Sequence, residues 1–280
     1  MSGRPEHQAP PEIFYNEEEA RKYTQNTRMI EIQLTMSERA VELLCLPEDQ
    51  PCHILDLGCG SGLSGETLTE QGHIWTGVDI SQAMLHVAKE KEVEGDLVLG
   101  DLGQGLPFRA GSFDGAISIS ALQWLCNADQ ASHNPVKRLH RFFSSLYSCL
   151  SRGSRAVFQF YPENSCQVEL ITAQAMKSGF TGGLVVDYPN STKAKKFFLV
   201  LLTGGQQTLP PALGVDAQGD HPNQVSFSQK RDRVKQLRSG KPAKKTRDWI
   251  LEKKERRRRQ GKETREDSKF TGRKRPNRLW

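Results

Sequence analysis

One glycine-rich segment, Leu55-Asp56-Leu57-Gly58-Cys59-Gly60-Ser61-Gly62, constrains the fold of this 280-residue chain more than any other feature. It begins within an apolar run that predicts a strand over 53–57, and a helical pattern follows over 64–71. Its glycines permit a sharp turn and a close approach of the backbone to a ligand. We expect the first strand-to-helix turn of an α/β domain here. The segment 60–65 also fits GxGxxG, for which a purely structural turn is the alternative.

Strand and helix signals alternate through the following 150 residues of the chain. Strands are predicted over 53–57, 74–79, 96–100, 115–120, 155–161, 184–188 and 196–202, and helices over 64–71, 81–91, 136–150 and 168–178. Such alternation implies a mostly parallel sheet with helices on both faces. The last two strands are expected to close it as an antiparallel pair. The prediction is a seven-stranded, Rossmann-like α/β fold preceded by one or two helices over 17–46.

Composition divides the chain into four parts. We expect a disordered N-terminus over 1–12, the α/β domain over 13–203, a polar linker over 204–243 and a basic tail over 244–280, where residues 244–260 have the pattern of a charged helix. No apolar run approaches the roughly 20 residues that a membrane helix needs, so no membrane association is expected. Six scattered cysteines without a CxxC pair favour a reducing compartment and no zinc site within the chain.

Three acids stand at the ends of the first three predicted strands. Asp56 precedes the glycines, Asp79 ends the second strand and Asp101 follows the third. Asp56 is expected to organise the loop or to reach a cationic amino group through a water. Asp79 is placed to accept hydrogen bonds from two ribose hydroxyls, with Ile80 packing on adenine, while Asp101 and the Leu102 N–H address the adenine edge. A cap or surface role is the alternative for each acid alone.

A nicotinamide site would share the loop and the second acid. It would not explain a third acid followed by Leu106-Pro107-Phe108 and Ser112-Phe113-Asp114. These segments resemble the motif after the third strand and the opening of the fourth in class I methyltransferases. That resemblance implies S-adenosylmethionine as the cofactor, bound by Asp56, the glycine loop, Asp79 and Asp101.

A narrower resemblance extends along nearly the whole chain. It rests on Arg4-Pro5-Glu6-His7, Pro11-Glu12, Phe14-Tyr15, Glu19-Ala20-Arg21-Lys22-Tyr23, Leu122-Gln123-Trp124-Leu125-Cys126-Asn127-Ala128, Tyr161-Pro162-Glu163-Asn164-Ser165, Val186-Asp187-Tyr188-Pro189-Asn190-Ser191, the region from Trp249 to Gly261, and Phe270-Thr271-Gly272-Arg273-Lys274-Arg275. Together these segments resemble the eukaryotic 18S ribosomal RNA guanine-N7 methyltransferase family. The resemblance implies a role in small-subunit (40S) ribosome biogenesis and a heterodimer with a small zinc-binding methyltransferase activator protein.

Methylation of guanine N7 does not require a catalytic acid/base pair, and no such pair is evident in the sequence. N7 is an unprotonated nitrogen at neutral pH and needs no general base, so no acid/base pair is predicted. Trp124 and Tyr161, just beyond two strand ends, are candidates for the guanine pocket, with ordinary core packing as the alternative. Tyr15 and Tyr23 are expected in an N-terminal lid over the cofactor, with the same alternative.

The net charge of +6 hides a strong asymmetry. Residues 229–280 hold 22 Lys/Arg against 7 Asp/Glu, a net charge of +15, which leaves −9 for the rest. Clusters at 253–259 and 273–275 predict phosphate contacts, nuclear import or both, with a solvated tail as the alternative. We expect a nuclear protein, in nucleoplasm and nucleolus, with some cytoplasmic presence.

Two other functions stay open at this point. One is a methyltransferase for a small molecule or a protein. The other is a non-catalytic ribosome assembly factor with the same fold. As a docking site for the activator, the sequence offers the third strand, Asp96 to Gly100, because the usual strand order leaves it at a sheet edge.

Overall fold

The computed structural model describes residues 4–47, 50–204, 209–214 and 225–226, together with six residues of the tail: Leu251, Lys254, Glu255, Arg258, Thr264 and Glu266. The chain divides into two compact units, Met1–Ser228 and Gln229–Trp280. The division falls inside the predicted linker, most of which, like most of the tail, lies outside the described residues. Within the predicted helix over 244–260, the four described residues are α-helical.

The larger unit alternates strands and helices in the predicted order. Its helices are α1 (Pro11–Phe14), α2 (Glu17–Gln25), α3 (Thr27–Leu44), α4 (Leu63–Glu70), α5 (Gln82–Glu90), α6 (Pro135–Cys149) and α7 (Ser165–Lys177). Its strands are β1 (His53–Leu57), β2 (Ile74–Asp79), β3 (Asp96–Leu99), β4 (Phe113–Ile119), β5 (Leu150–Phe160), β6 (Thr181–Asp187), β7 (Lys196–Leu202) and β8 (Val225–Ser226). No helix in the described ranges is long and apolar enough to cross a membrane.

The strands form one sheet in the order β3-β2-β1-β4-β5-β7-β6-β8. The pairs from β3 to β5 are parallel, whereas β7 runs antiparallel to β5 and β6. The Rossmann-like prediction is therefore confirmed, and the two-residue β8 adds an eighth strand that pairs with β6 in the predicted linker. Strand order reverses between β1 and β4, which is where open α/β sheets bind ligands beyond the carboxyl ends of their strands.

Two apolar clusters cover opposite faces of the sheet. One centres on α6, whose Phe142, Phe143 and Leu146 are fully buried. The other centres on α3, through Met36 and Leu43. Because strand residues alternate between the two faces, each strand from β1 to β7 contributes to both clusters. Packing on both faces thus fixes the positions of the strand ends, and with them the geometry of the sheet edge at which the parallel strands have their carboxyl ends.

The predicted helical region over 17–46 is two helices with Asn26 between them. The Asn26 side chain accepts a hydrogen bond from Met29 N at 3.1 Å and so caps α3, while Asn16 caps α2 in the same way. β5 begins at Leu150, earlier than the predicted 155, because Leu150 pairs with Phe113 before a register shift. These differences lengthen elements without changing the topology.

The N-terminus differs from the predicted disorder over 1–12. Pro5–His7 form a 3₁₀ turn, and Glu6 within it is buried. Arg4 donates hydrogen bonds to the carbonyl oxygens of Tyr161 and Pro162, both at 2.9 Å. Asn127 Nδ2 donates to Glu6 O at 2.9 Å. These contacts are made with distant parts of the chain, so the polar composition of the segment alone did not indicate them.

Candidate functional site

A cavity of about 460 Å³ opens at the carboxyl edge, where β1, β2 and β4 end. Nine of the predicted site residues line it: Tyr15, Tyr23, Gly58, Gly60, Asp79, Ile80, Asp101, Leu102 and Trp124. Asp56, Gly62 and Tyr161 do not. The sequence motifs from three successive strand ends therefore meet in one space.

The glycine loop joins β1 to α4 and forms the floor of the cavity. Gly58 N donates to Val78 O at 2.7 Å, which holds the loop on β2. Gly58 and Gly60 have φ angles of +77° and +55°, a region that side chains disfavour. A Cβ on Gly58 would lie 2.3 Å from the Cβ of Ala121, so the position admits no side chain. Gly58 and Gly60 thus line the cavity with backbone alone.

Asp79 holds the loop and faces the cavity. Its Oδ2 accepts from Gly60 N and its Oδ1 from Ser81 N, both at 2.8 Å. Burial raises the pKa of this carboxyl, and the backbone N–H groups of Ser81, Gly60 and Ile80 oppose that rise by stabilising the ionised form. Each oxygen keeps a lone pair, so the two oxygens together can accept from a pair of vicinal hydroxyls.

Asp101 caps a 3₁₀ turn, Leu102–Gln104, at the other side of the cavity. Its Oδ1 accepts from Gly103 N and from Arg138 Nη2, each at 2.8 Å. Oδ2 has no partner among the described residues. Asp101 and Leu102 both line the cavity. The Oδ2 of Asp101 can accept a hydrogen bond and the Leu102 backbone N–H can donate one, which is the pair of groups that an adenine edge requires.

Asp56 lies behind the loop. It is fully buried, and its Oδ2 accepts from Ser64 Oγ at 2.6 Å. Its Oδ1 has no partner in the described part of the chain. Burial raises the pKa of Asp56 to about 7, because little there stabilises a negative charge. Asp56 thus contacts α4 behind the glycine loop, and its role in organising the loop stays a prediction.

Gly62 and Tyr161 lie outside the cavity wall for separate reasons. Gly62 precedes α4 with a φ of +84°, and a Cβ there would contact Val93 at 2.7 Å. Tyr161 follows β5 on the face covered by α3, where its hydroxyl donates to Met36 Sδ at 3.4 Å. Lys196 Nζ lies 5.2 Å from the centre of the Tyr161 ring. A guanine-pocket role for Tyr161 therefore stays a prediction.

Aromatic rings close the remaining side of the cavity. The ring centre of Tyr15 lies 5.8 Å from that of Trp124 and 6.0 Å from that of Tyr23. Ser81 Oγ donates to Tyr15 O at 2.8 Å, which ties this wall to the end of β2. Burial and the charge of Asp79 raise the pKa of Tyr15 to about 12, so its hydroxyl stays protonated at neutral pH.

Several lining residues were not assigned to a site from the sequence. They include Glu12, Gln33, Ser120, Asp129, His133 and Arg138. Gln33 comes from α3 and Arg138 from α6, elements whose patterns indicate only amphipathic helices. The contact of Arg138 with Asp101 spans 37 positions, and no local motif connects the two.

Comparison with known proteins agrees with this geometry. The 18S rRNA (guanine-N(7))-methyltransferase of Mus musculus is 60% identical over 278 residues, covering 99% of this chain and 99% of its own length. That of Arabidopsis thaliana is 58% identical over 290 residues and covers all of both chains. This chain belongs to the 18S rRNA (guanine-N7)-methyltransferase family. The recognition made from the sequence motifs is confirmed.

Two family profiles match different parts of this family member. "Methyltransferase domain" matches residues 55–158, and "Methyltransferase involved in Williams-Beuren syndrome" matches residues 201–277. A SAM-dependent methyltransferase from Aquifex aeolicus covers 68% of this chain and all of its own at 14% identity, with a TM-score of 0.50. At that identity, the structural likeness shows the fold alone.

S-adenosylmethionine is the cofactor expected for this family, and the cavity fits it on three observations. Gly58 and Gly60, with positive φ angles, line the cavity with backbone alone. The Asp79 carboxylate presents two acceptor oxygens. The Asp101 carboxylate keeps one oxygen without a partner among the described residues. These features match a ligand with a ribose diol and an amino-substituted base.

Proposed function

We propose that this chain transfers a methyl group from S-adenosylmethionine to N7 of a guanine in 18S ribosomal RNA, during maturation of the small ribosomal subunit. The cavity carries the proposal, because the glycine loop, Asp79 and Asp101 meet there in a chain of this family. Asp79 would hold the ribose, Ile80 and Leu102 the adenine, and the loop backbone the methionine portion. Asp56 would keep the loop in shape from behind.

Methyl transfer to N7 requires mainly that the guanine and the cofactor's methyl group be aligned. The bound cofactor supplies a methyl group on a cationic sulfur, and the N7 lone pair needs no base to expose it. The protein has to hold the guanine in line and exclude water. Trp124, which is 8% exposed and lines the cavity, offers a ring face for this purpose. The carboxylates of Glu12 and Asp129 on the same wall favour the cationic product.

The target guanine must leave a base-paired helix to reach this wall. In A-form RNA, N7 lies in the deep major groove, which side chains reach poorly. An unpaired or flipped nucleotide removes that obstacle. The basic tail over 244–280 would hold the flanking phosphates, and its clusters would also serve nuclear import, which supports a nucleolar site of action.

The small zinc-binding activator protein is proposed to bind along β3. This strand pairs only with β2 among the described strands, so its other edge is open. Leu99 on it is 58% exposed. An open edge with an apolar side chain is suited to pairing with a strand of another chain. Leu99→Arg should abolish co-purification with the activator, whereas Lys89→Glu on the neighbouring α5 should not. Equal recovery of both variants would refute the docking site.

One experiment separates this function from its alternatives. The chain and its activator are incubated with radiolabelled S-adenosylmethionine and immature small subunits, and the label is mapped on the RNA. We expect label at one guanine N7, detected by chain scission after borohydride reduction and aniline. Asp79→Ala should abolish labelling. Glu70→Ala, which removes an exposed carboxylate at the end of α4, is the matched control.

The alternatives predict other outcomes of the same experiment. Labelling of protein or of small molecules in place of RNA would favour a different acceptor. A chain that supports subunit assembly equally well with and without Asp79→Ala would act as an assembly factor first. Equal RNA labelling by both variants would refute the assignment of the cavity.

A further inference from the structure

Arg138, in the first turn of α6, has no role in the function proposed above. Its Nη2 donates to Asp101 Oδ1 at 2.8 Å, and its Nη1 lies 2.7 Å from both ring nitrogens of His133. The side chains of Arg138 and Asp101 are 13% and 15% exposed, so water screens their attraction only weakly. One guanidinium thus joins two separate parts of the cavity wall.

The surrounding chain is built to receive this guanidinium. A Cβ on Gly103 would lie 2.4 Å from Arg138 Nε, so the side chain rests on bare backbone. Nε itself is buried without an acceptor among the described residues, which costs desolvation free energy.

These contacts determine which oxygen of Asp101 a ligand can use. Arg138 and Gly103 N both donate to Oδ1, and this fixes the plane of the carboxylate. Oδ2 keeps its full capacity as an acceptor. We propose that Arg138 is a positioning residue, which locks Asp101 so that Oδ2 accepts from the 6-amino group of the cofactor's adenine. The inference rests on the proposed function, because it requires S-adenosylmethionine in this cavity.

Base selectivity follows from this arrangement. A ligand without the 6-amino group leaves Oδ2 desolvated and unpaired, which sites built around a polar contact reject strongly. Without Arg138 the Asp101 carboxylate is free to turn, so the absence of the 6-amino group from the ligand should weaken binding less. Selectivity for the amino group is therefore the quantity that Arg138 controls.

Calorimetry on the full chain with its activator tests this. The ligands are S-adenosylhomocysteine and its analogue with hydrogen in place of the 6-amino group. The wild-type chain should prefer the amino ligand by about tenfold or more. Arg138→Met should reduce that preference to less than about threefold, and Arg138→Lys, which keeps one charged donor, should lie between. Arg141→Met, an exposed arginine on the same helix, should keep the wild-type preference.

Each other outcome counts against the inference. Equal weakening of both ligands by Arg138→Met, with a lower melting temperature, would show a structural role only. An unchanged preference in Arg138→Met and Arg138→Lys would show that Gly103 N alone fixes Asp101. A wild-type chain that binds neither ligand would overturn the proposed function, and this inference with it.

Discussion

Two glycines with nearly equal backbone angles separate conformational strain from crowding at the glycine loop. Gly58 has a φ of +77° and Gly72, between α4 and β2, a φ of +79°. A Cβ on Gly72 would contact nothing within 4 Å, whereas one on Gly58 would lie 2.3 Å from Ala121 Cβ. Alanine at either position should cost about 1–2 kcal/mol for the left-handed backbone. Gly58→Ala should cost a further 1–3 kcal/mol, roughly, for overpacking.

The functional effects of the two substitutions should differ more than their stabilities. To relieve the contact, the loop at Gly58 must move by about 1 Å, and shifts of that size cost about a hundredfold in rate. Gly72→Ala should leave S-adenosylhomocysteine binding and methyl transfer unchanged. Urea unfolding, calorimetry and RNA labelling measure the three quantities. Equal losses of stability and binding in both variants would refute the argument that close packing at Gly58 shapes the site.

Three further predictions follow from other parts of the molecule. The pKa of Asp56 is about 7 in the folded chain and about 4 in the unfolded chain, so the folded chain holds this proton to higher pH. Ionisation of Asp56 should therefore lower the free energy of unfolding by up to about 4 kcal/mol as pH rises from 4 to 7. Asp56→Asn should flatten that part of the pH dependence in urea titrations, and parallel curves would contradict it. Trp124→Ala should raise the KM for RNA by about tenfold or more through lost stacking while Trp124→Phe keeps most of the affinity, and equal KM values would argue against a base contact. Glutamine at Lys253, Lys254 and Arg256–Arg259 should weaken RNA binding and reduce its salt slope by about 0.7 for each lost phosphate contact, as filter binding at several salt concentrations would show.

Features local to one strand end were predictable from the sequence. The loop between β1 and α4, and Asp79 at the end of β2, lie where strand and helix patterns put them. The parallel order of the sheet then brings these ends together, so Asp79 and Asp101 share a cavity without any local contact. Family motifs added the N-terminal wall of Tyr15 and Tyr23, which periodicity alone left undecided.

Side-chain direction explains why the positions of some residues were not predicted from the sequence. In β1, Asp56 points to the same face as Ile54, beneath α4 and away from the cavity. In β5, the same alternation puts Tyr161 with Val157 on the α3 face. The sequence does not predict a site role for Arg138, because an arginine on an amphipathic helix is ordinarily solvated. Only the tertiary fold brings Arg138 to Asp101.

The attachment of the N-terminal segment to the end of β5 has a consequence for how the molecule forms. Arg4 reaches the carbonyl oxygen of a residue 157 positions later, beyond β5. During synthesis, Arg4 must therefore wait until Tyr161 has been made before this hydrogen bond can form. Contacts of such separation form late and open early, since they close long loops with few hydrogen bonds. Attachment of the N-terminal segment, whose Pro11, Glu12 and Tyr15 line the cavity, is thus one of the last folding steps.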